Sequence, residues 1–137
     1  MNVKKALLYL SGFIALGAFW GGIMMFISPS GEVWGMDPLL ADMRRLPCAE
    51  ALFDNFIFSG VMLILVNGGC NTAAVIGLRS DRRWGVMCGG IAGVMLLCWL
   101  GVQWVIFAVN PLTMLYTLFG VVQVVLATHL LRTRTTT

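Results

Sequence analysis

"WGVMCGGIAGVMLLCWLGVQWVIFAVNPLTMLYTLFGVVQVVLATHLL", residues Trp84 to Leu131, decides how this chain folds. It holds no Asp, Glu, Lys or Arg, and its one clear break is the pair Asn110-Pro111. That pair divides it into two apolar runs, Trp84–Phe107 and Pro111–Leu131. A helix rises 1.5 Å per residue and needs about 20 residues to cross a hydrocarbon core. Each run has that reach. Lipid offers backbone N–H and C=O groups no partners, so only helices or closed barrels cross it. The alternation of a barrel strand is absent from "GVMLLCWLGVQWVIF" and from the earlier "VMLILVNGG". Asn110 suits a helix N-cap and Pro111 a first helical position, where its missing N–H costs nothing. The two runs therefore read as an antiparallel helical hairpin.

Two further runs lie upstream, at about Ala6–Ile27 and Phe56–Leu78. Of the 137 residues, 59% are apolar and 11% charged, and the mean hydropathy is +0.89. Such a balance is outside that of a soluble domain. The expected fold is an all-α membrane protein, an antiparallel four-transmembrane-helix bundle forming a single domain over residues 1–137. The segment "GLRSDRRWG" joins the second and third spans, again by a short polar turn. A cleaved signal sequence is the competing reading of the first span. It is disfavoured because the run is long for an h-region and "FISPSGE" offers no small-x-small site.

Lys4 and Lys5, the Arg79/Arg82/Arg83 turn, and Arg132 with Arg134 all fall on one side of these spans, which the positive-inside rule assigns to the cytoplasm. Both termini are then cytoplasmic. The opposite side carries the long loop Ser28–Asn55, where Arg44 and Arg45 face five acids, Glu32, Asp37, Asp42, Glu50 and Asp54. The net charge of +3 follows from membrane orientation and gives no reason to expect nucleic acid. Within the loop, "MDPLLADMRRLP" predicts a short amphipathic interfacial helix. Asp37 would be its N-cap, Pro38 its first residue, Leu39, Leu40, Met43 and Leu46 its apolar face, and Pro47 its end. Exposed Glu32, Trp34, Asp37, Arg44, Arg45 and Cys48 are the candidate outer-loop interaction residues.

Inside the spans, small residues recur at four-residue spacing. Gly85, Gly89 and Gly93, continued by Gly101, form one face of the third span, and Gly17 with Gly21 repeat the spacing in the first. Such faces let helix backbones approach closely. Packing within the bundle is favoured over a seam between copies. The polar groups that lipid cannot satisfy are few. Asn67 and Asn71 share a helix face and are expected to meet Gln103 and Tyr116 inside the bundle, as interhelical hydrogen bonds or as a small polar pocket. Thr72, Thr113, Thr117 and Gln123 complete the set. Trp99 and Trp104 flank Gln103; a lipid-facing belt is favoured for them over an aromatic cavity suited to a quinone or lipid headgroup.

No Asp, Glu, Lys, Arg or His lies in mid-membrane, which disfavours a proton-driven transporter. His129 stands at a helix end and cannot supply both axial ligands of a bis-histidine haem. Cys48, Cys70, Cys88 and Cys98 contain no C-x-x-C pair. No nucleotide loop, zinc spacing or catalytic triad is present, so no catalytic residue, metal or cofactor is expected.

Four segments in order, "GGIMMFISPSGEVWGM" (Gly21–Met36), "FDNFIFSG" (Phe53–Gly60), "WLGVQ" (Trp99–Gln103) and "NPLTMLYTLFG" (Asn110–Gly120), resemble an uncharacterised family of small bacterial four-span membrane proteins. The resemblance implies a compact four-helix protein of the bacterial inner membrane and brings no catalytic residues. The chain departs from that pattern at Ser59, where proline would precede Gly60, and a kink there is in doubt. The reading that best joins these features is a non-enzymatic membrane protein that binds a membrane-protein partner or its own copies, with the lipid bilayer as its surroundings. A small carrier or channel for a neutral solute is the first alternative. An oxidoreductase accessory or quinone- or lipid-binding subunit is the second.

Overall fold

The computed structural model describes residues 2–107 and 110–133. Arg134 and the Glu50 side chain, both counted above among the flanking charges, lie outside the described residues. Among the described residues all regular structure is helical, and four helical stretches are long and apolar enough to cross a membrane: Val3–Ile27, Ile57–Arg79, Arg83–Ile106 and Pro111–Thr133. The first is α1. The second is built of α4 (Ile57–Met62), a π-helical segment (Leu63–Gly69) and α5 (Cys70–Arg79) without interruption; the last two are α6 and α7.

Local chemistry sets their ends. The Asn2 side chain accepts the Lys4 N–H at 3.1 Å and caps α1. Before α7, Asn110 Oδ1 accepts the Thr113 N–H at 3.0 Å while Thr113 Oγ1 accepts the Asn110 N–H at 3.3 Å, a reciprocal capping arrangement with Pro111 at the first helical position. Between α5 and α6 the turn is closed by the Arg82 N–H donating to Gly77 O at 2.8 Å. Lys4 Nζ reaches Asp81 Oδ1 of that turn at 2.8 Å, which ties it to the start of α1.

The long loop holds more helical structure than one interfacial helix. A 3-10 turn covers Glu32–Trp34, α2 covers Asp37–Met43, and α3 covers Ala49–Leu52. Asp37 is the first residue of α2 rather than its cap, which is Met36. The helix also stops earlier than expected. The N–H groups of Arg45 and Leu46 donate three residues back, to Asp42 O and Met43 O, and Pro47 biases Leu46 away from helical geometry. Cys48 then takes a left-handed conformation, φ 63°, before α3 begins. Leu40 and Met43 are buried against Phe56 with Met25, Phe53 and Ile106 around them, so α2 covers one end of the bundle.

The core is layered along the bundle. At the end bearing Lys4 and Asp81, Leu7, Leu78, Val86, Ala127 and Leu130 pack together; further along come Ile14, Leu96 and Leu100; the loop end holds the Leu40–Met43–Phe56 cluster. Glycines bring the helices close. A Cβ on Gly85 would strike the backbone of Gly77, one on Gly93 would lie 3.1 Å from Gly120 O, one on Gly89 would lie 3.3 Å from Leu7, and one on Gly21 would lie 3.1 Å from Leu63. Gly17 makes room for a side chain instead: its Cβ would lie 2.8 Å from the Tyr116 oxygen. Gly101 departs from the expected face and has no atom within 4 Å of its Cβ position. Gly22 and Gly60, absent from the expected set, face each other across α1 and α4.

Candidate functional site

Two polar sites arise from the few amides inside the bundle. The first is a buried knot, in which Gln123 Oε1 is left without a partner. Gln123 Nε2 on α7 donates to Ser11 Oγ on α1 at 3.0 Å and to Asn71 Oδ1 on α5 at 2.6 Å, and all three side chains are fully buried. Asn71 Nδ2 donates in turn to Asn67 O at 2.8 Å, and Thr72 Oγ1 to Gly68 O at 2.8 Å. These two carbonyls belong to the end of the π-helical segment, so side chains bond to the backbone where its hydrogen-bonding register changes. Beyond the knot lies the apolar layer of Leu7, Leu78 and Val86, which closes that end of the bundle.

The second site is open. A cavity of about 200 Å³ lies on the loop side of the knot and is walled by all four long helices. Ile14, Gly17 and Ala18 come from α1, Leu63 and Asn67 from the π-helical segment, Trp99 and Gln103 from α6, and Thr113 and Tyr116 from α7. It carries no charged side chain. Asn67 is 3% exposed, and its Oδ1 has no hydrogen-bond partner. An unmet buried acceptor costs about 1–3 kcal/mol; the Asn67 residue is part of the cavity wall, while its Oδ1 is itself covered. Toward the loop, Trp99, Gln103, Leu112 and Thr113 also line a larger cavity of about 460 Å³, bounded by Leu39, Asp42, Met43 and Leu46 of the α2 region. Ser59, buried with its Oγ unpartnered, stands on that wall.

The structure thus divides the expected polar cluster. Asn67, Gln103 and Tyr116 line the cavity together, whereas Asn71 turns to Gln123 and Ser11 in the knot. Depth explains the division. Ser11, Asn71 and Gln123 each lie roughly 12–15 Å from the end of the bundle that carries Lys4, at 1.5 Å per residue, while Gln103 is within one turn of the opposite end of α6. Equal depth was the available signal for the knot. Ser11 gave no other, because a serine in an apolar helix commonly bonds its own backbone. Trp99 lines the cavity instead of facing outward, and Trp104 is exposed.

The loop candidates stay apart from this site. Glu32, Trp34, Asp37, Arg44, Arg45 and Cys48 are exposed. Arg44 pairs with Asp54 at 3.5 Å and Arg45 with Asp42 at 3.6 Å, contacts of the kind that contribute about 0–1 kcal/mol at a surface. The four cysteines are free thiols. Among the described residues no group of three His, Cys, Asp or Glu side chains gathers to hold a metal ion. Comparison of the chain with protein-family models, curated proteins and solved structures gives no match.

Proposed function

We propose that this chain is a multi-pass protein of a bacterial inner membrane, an antiparallel four-helix bundle with both termini in the cytoplasm. In this reading it acts without catalysis, by holding a small uncharged molecule in the loop-side cavity. Membership in the uncharacterised four-span family is part of the same proposal. Leu16, Leu65, Val105 and Val125, on four different long helices, are 72%, 63%, 86% and 59% exposed, a surface suited to lipid and unsuited to water. Lys4, Lys5, Arg79, Arg82, Arg83 and Arg132 lie at the helix ends away from the loop, as the positive-inside rule expects for a cytoplasmic face.

The observation that carries the binding reading is Asn67, a buried residue with an unpartnered Oδ1, among the residues that wall a cavity framed by all four helices. A through channel has less support, because the knot and the apolar layer close the other end. Self-association through the glycine faces also has less support, since Gly85, Gly89 and Gly93 are occupied within the chain. The cavity that Asn67, Gln103 and Tyr116 line has no charged side chain on its wall, which favours a neutral ligand, because an ion there would lack an adjacent counter-charge.

The test is extraction and mass spectrometry of small molecules that co-purify from native membranes in mild detergent. One compound enriched with the wild-type chain and reduced about tenfold with Asn67→Leu is expected, a factor equal to the loss of one good hydrogen bond. Identical extracts from both proteins, holding only detergent and bulk lipid, would sink the reading.

A further inference from the structure

A second, apolar cavity lies beside the first and shares part of its wall. The second and third long helices touch tightly at one end, where Gly77 and Gly85 meet backbone to backbone. In its other half the second long helix leans on α1. Gly22 and Gly60 face each other, Leu63 packs on Gly21, and Phe19 packs on Gly68. The π-helical segment accordingly packs mainly against α1 and only sparsely against α6. A groove of about 210 Å³ is left between the second and third long helices, walled by Met62, Val66, Met95, Cys98 and Val102. Its lining is almost wholly apolar, and its inner wall is Leu63, Asn67 and Trp99, the same three residues that wall the polar cavity.

Resting on the binding reading above, we infer that the ligand is a neutral chain-bearing alcohol dissolved in the bilayer, which enters sideways between the second and third long helices. Its hydroxyl meets Asn67 in the cavity and its hydrocarbon chain lies in the groove. A hydroxyl fits because it both donates and accepts, and so satisfies the Asn67 amide in either orientation. An ammonium head finds no counter-charge on the wall shared by the cavity and the groove, and a plain alkane leaves the Asn67 amide unmet. The apolar groove accounts for the chain: a water-soluble ligand would gain nothing from a wall of Met62, Val66 and Met95 facing lipid.

The experiment uses the full chain in phosphatidylcholine vesicles and a long-chain primary alcohol carrying a photoactivatable diazirine at the far end of its chain. Saturable labelling of Met62, Val66, Met95, Cys98 or Val102 is expected, competed by unlabelled alcohol and not by an alkane of the same length. Asn67→Leu, which removes the anchor, and Val66→Trp, which fills the groove, should each cut labelling about tenfold with the melting temperature retained. Label spread evenly over the lipid-facing helices, or unchanged in Asn67→Leu, means that the groove holds bulk lipid and overturns the inference. A short water-soluble diazirine alcohol separates the two readings. If it labels Gln103 or Tyr116 while the long probe ignores the groove, the sideways route is wrong and the cavity reading stands; if neither probe labels the site, both fall.

Discussion

Asn67 and Asn71 are the same residue type four positions apart, yet their amides have opposite fates. The Asn71 amide is consumed by Gln123 and by the Asn67 carbonyl, whereas Asn67 lines a cavity and its Oδ1 has no partner. Interhelical hydrogen bonds in membranes average about 0.6 kcal/mol and reach about 1.7. Stranding one partner costs more, about 1–3 kcal/mol. Gln123→Leu or Asn71→Leu alone is therefore expected to destabilise the bundle by roughly 1–3 kcal/mol. The double variant should cost less than the sum, because removing both partners leaves fewer buried groups unmet. Reversible unfolding in mixed micelles measures the cycle. Strict additivity of the two substitutions would show that the 2.6 Å contact contributes no coupling.

At the scale of the element, α2 and the π-helical segment shape the site from two sides. The apolar spacing of Leu40 and Met43 was enough to place a helix in the loop, since both turn to one face. Its early end and the additional α3 follow from Pro47 and the left-handed Cys48, where a local backbone choice outweighs the continuing apolar pattern at Leu46. Leu40 holds α2 down on Phe56. Leu40→Ala removes buried contact of a kind that costs about 2–5 kcal/mol in a well-packed core, here confined to the loop. Hydrogen exchange should rise across residues 37–46 and remain unchanged across 83–100. Faster exchange in α6 as well would mean that α2 supports the bundle rather than covering its mouth. The π-helical segment had no such signal. "LILVNGG" is an ordinary apolar run with glycines, and nothing in it marks a wider turn.

At the scale of the whole molecule, the proposed orientation makes a direct demand on chemistry at the two ends. Cys48 is exposed in the long loop, and Ser80 stands in the turn beside Asp81 at the other end. With Cys70, Cys88 and Cys98 replaced by alanine, a membrane-impermeant maleimide added to spheroplasts should label Cys48. A cysteine introduced by Ser80→Cys in a Cys48→Ala background should react only after lysis. Labelling of the Ser80 position in intact spheroplasts would reverse the orientation.

The four long apolar helices and their approximate limits were legible in the amino-acid sequence, because length, hydropathy and the Asn110-Pro111 break act locally. So were the glycines that let α6 approach its neighbours, since spacing alone puts Gly85, Gly89 and Gly93 on one face. Tertiary structure alone decided which amide meets which. Gln123 finds Asn71 and Ser11 because three helices bring them to one depth, and Gln103 is kept from them by its place near the other end of α6. The same lean of the second long helix onto α1 that joins Gly22 to Gly60 opens the space beside Asn67. That lean is a property of packed surfaces and is written in no single segment of the chain.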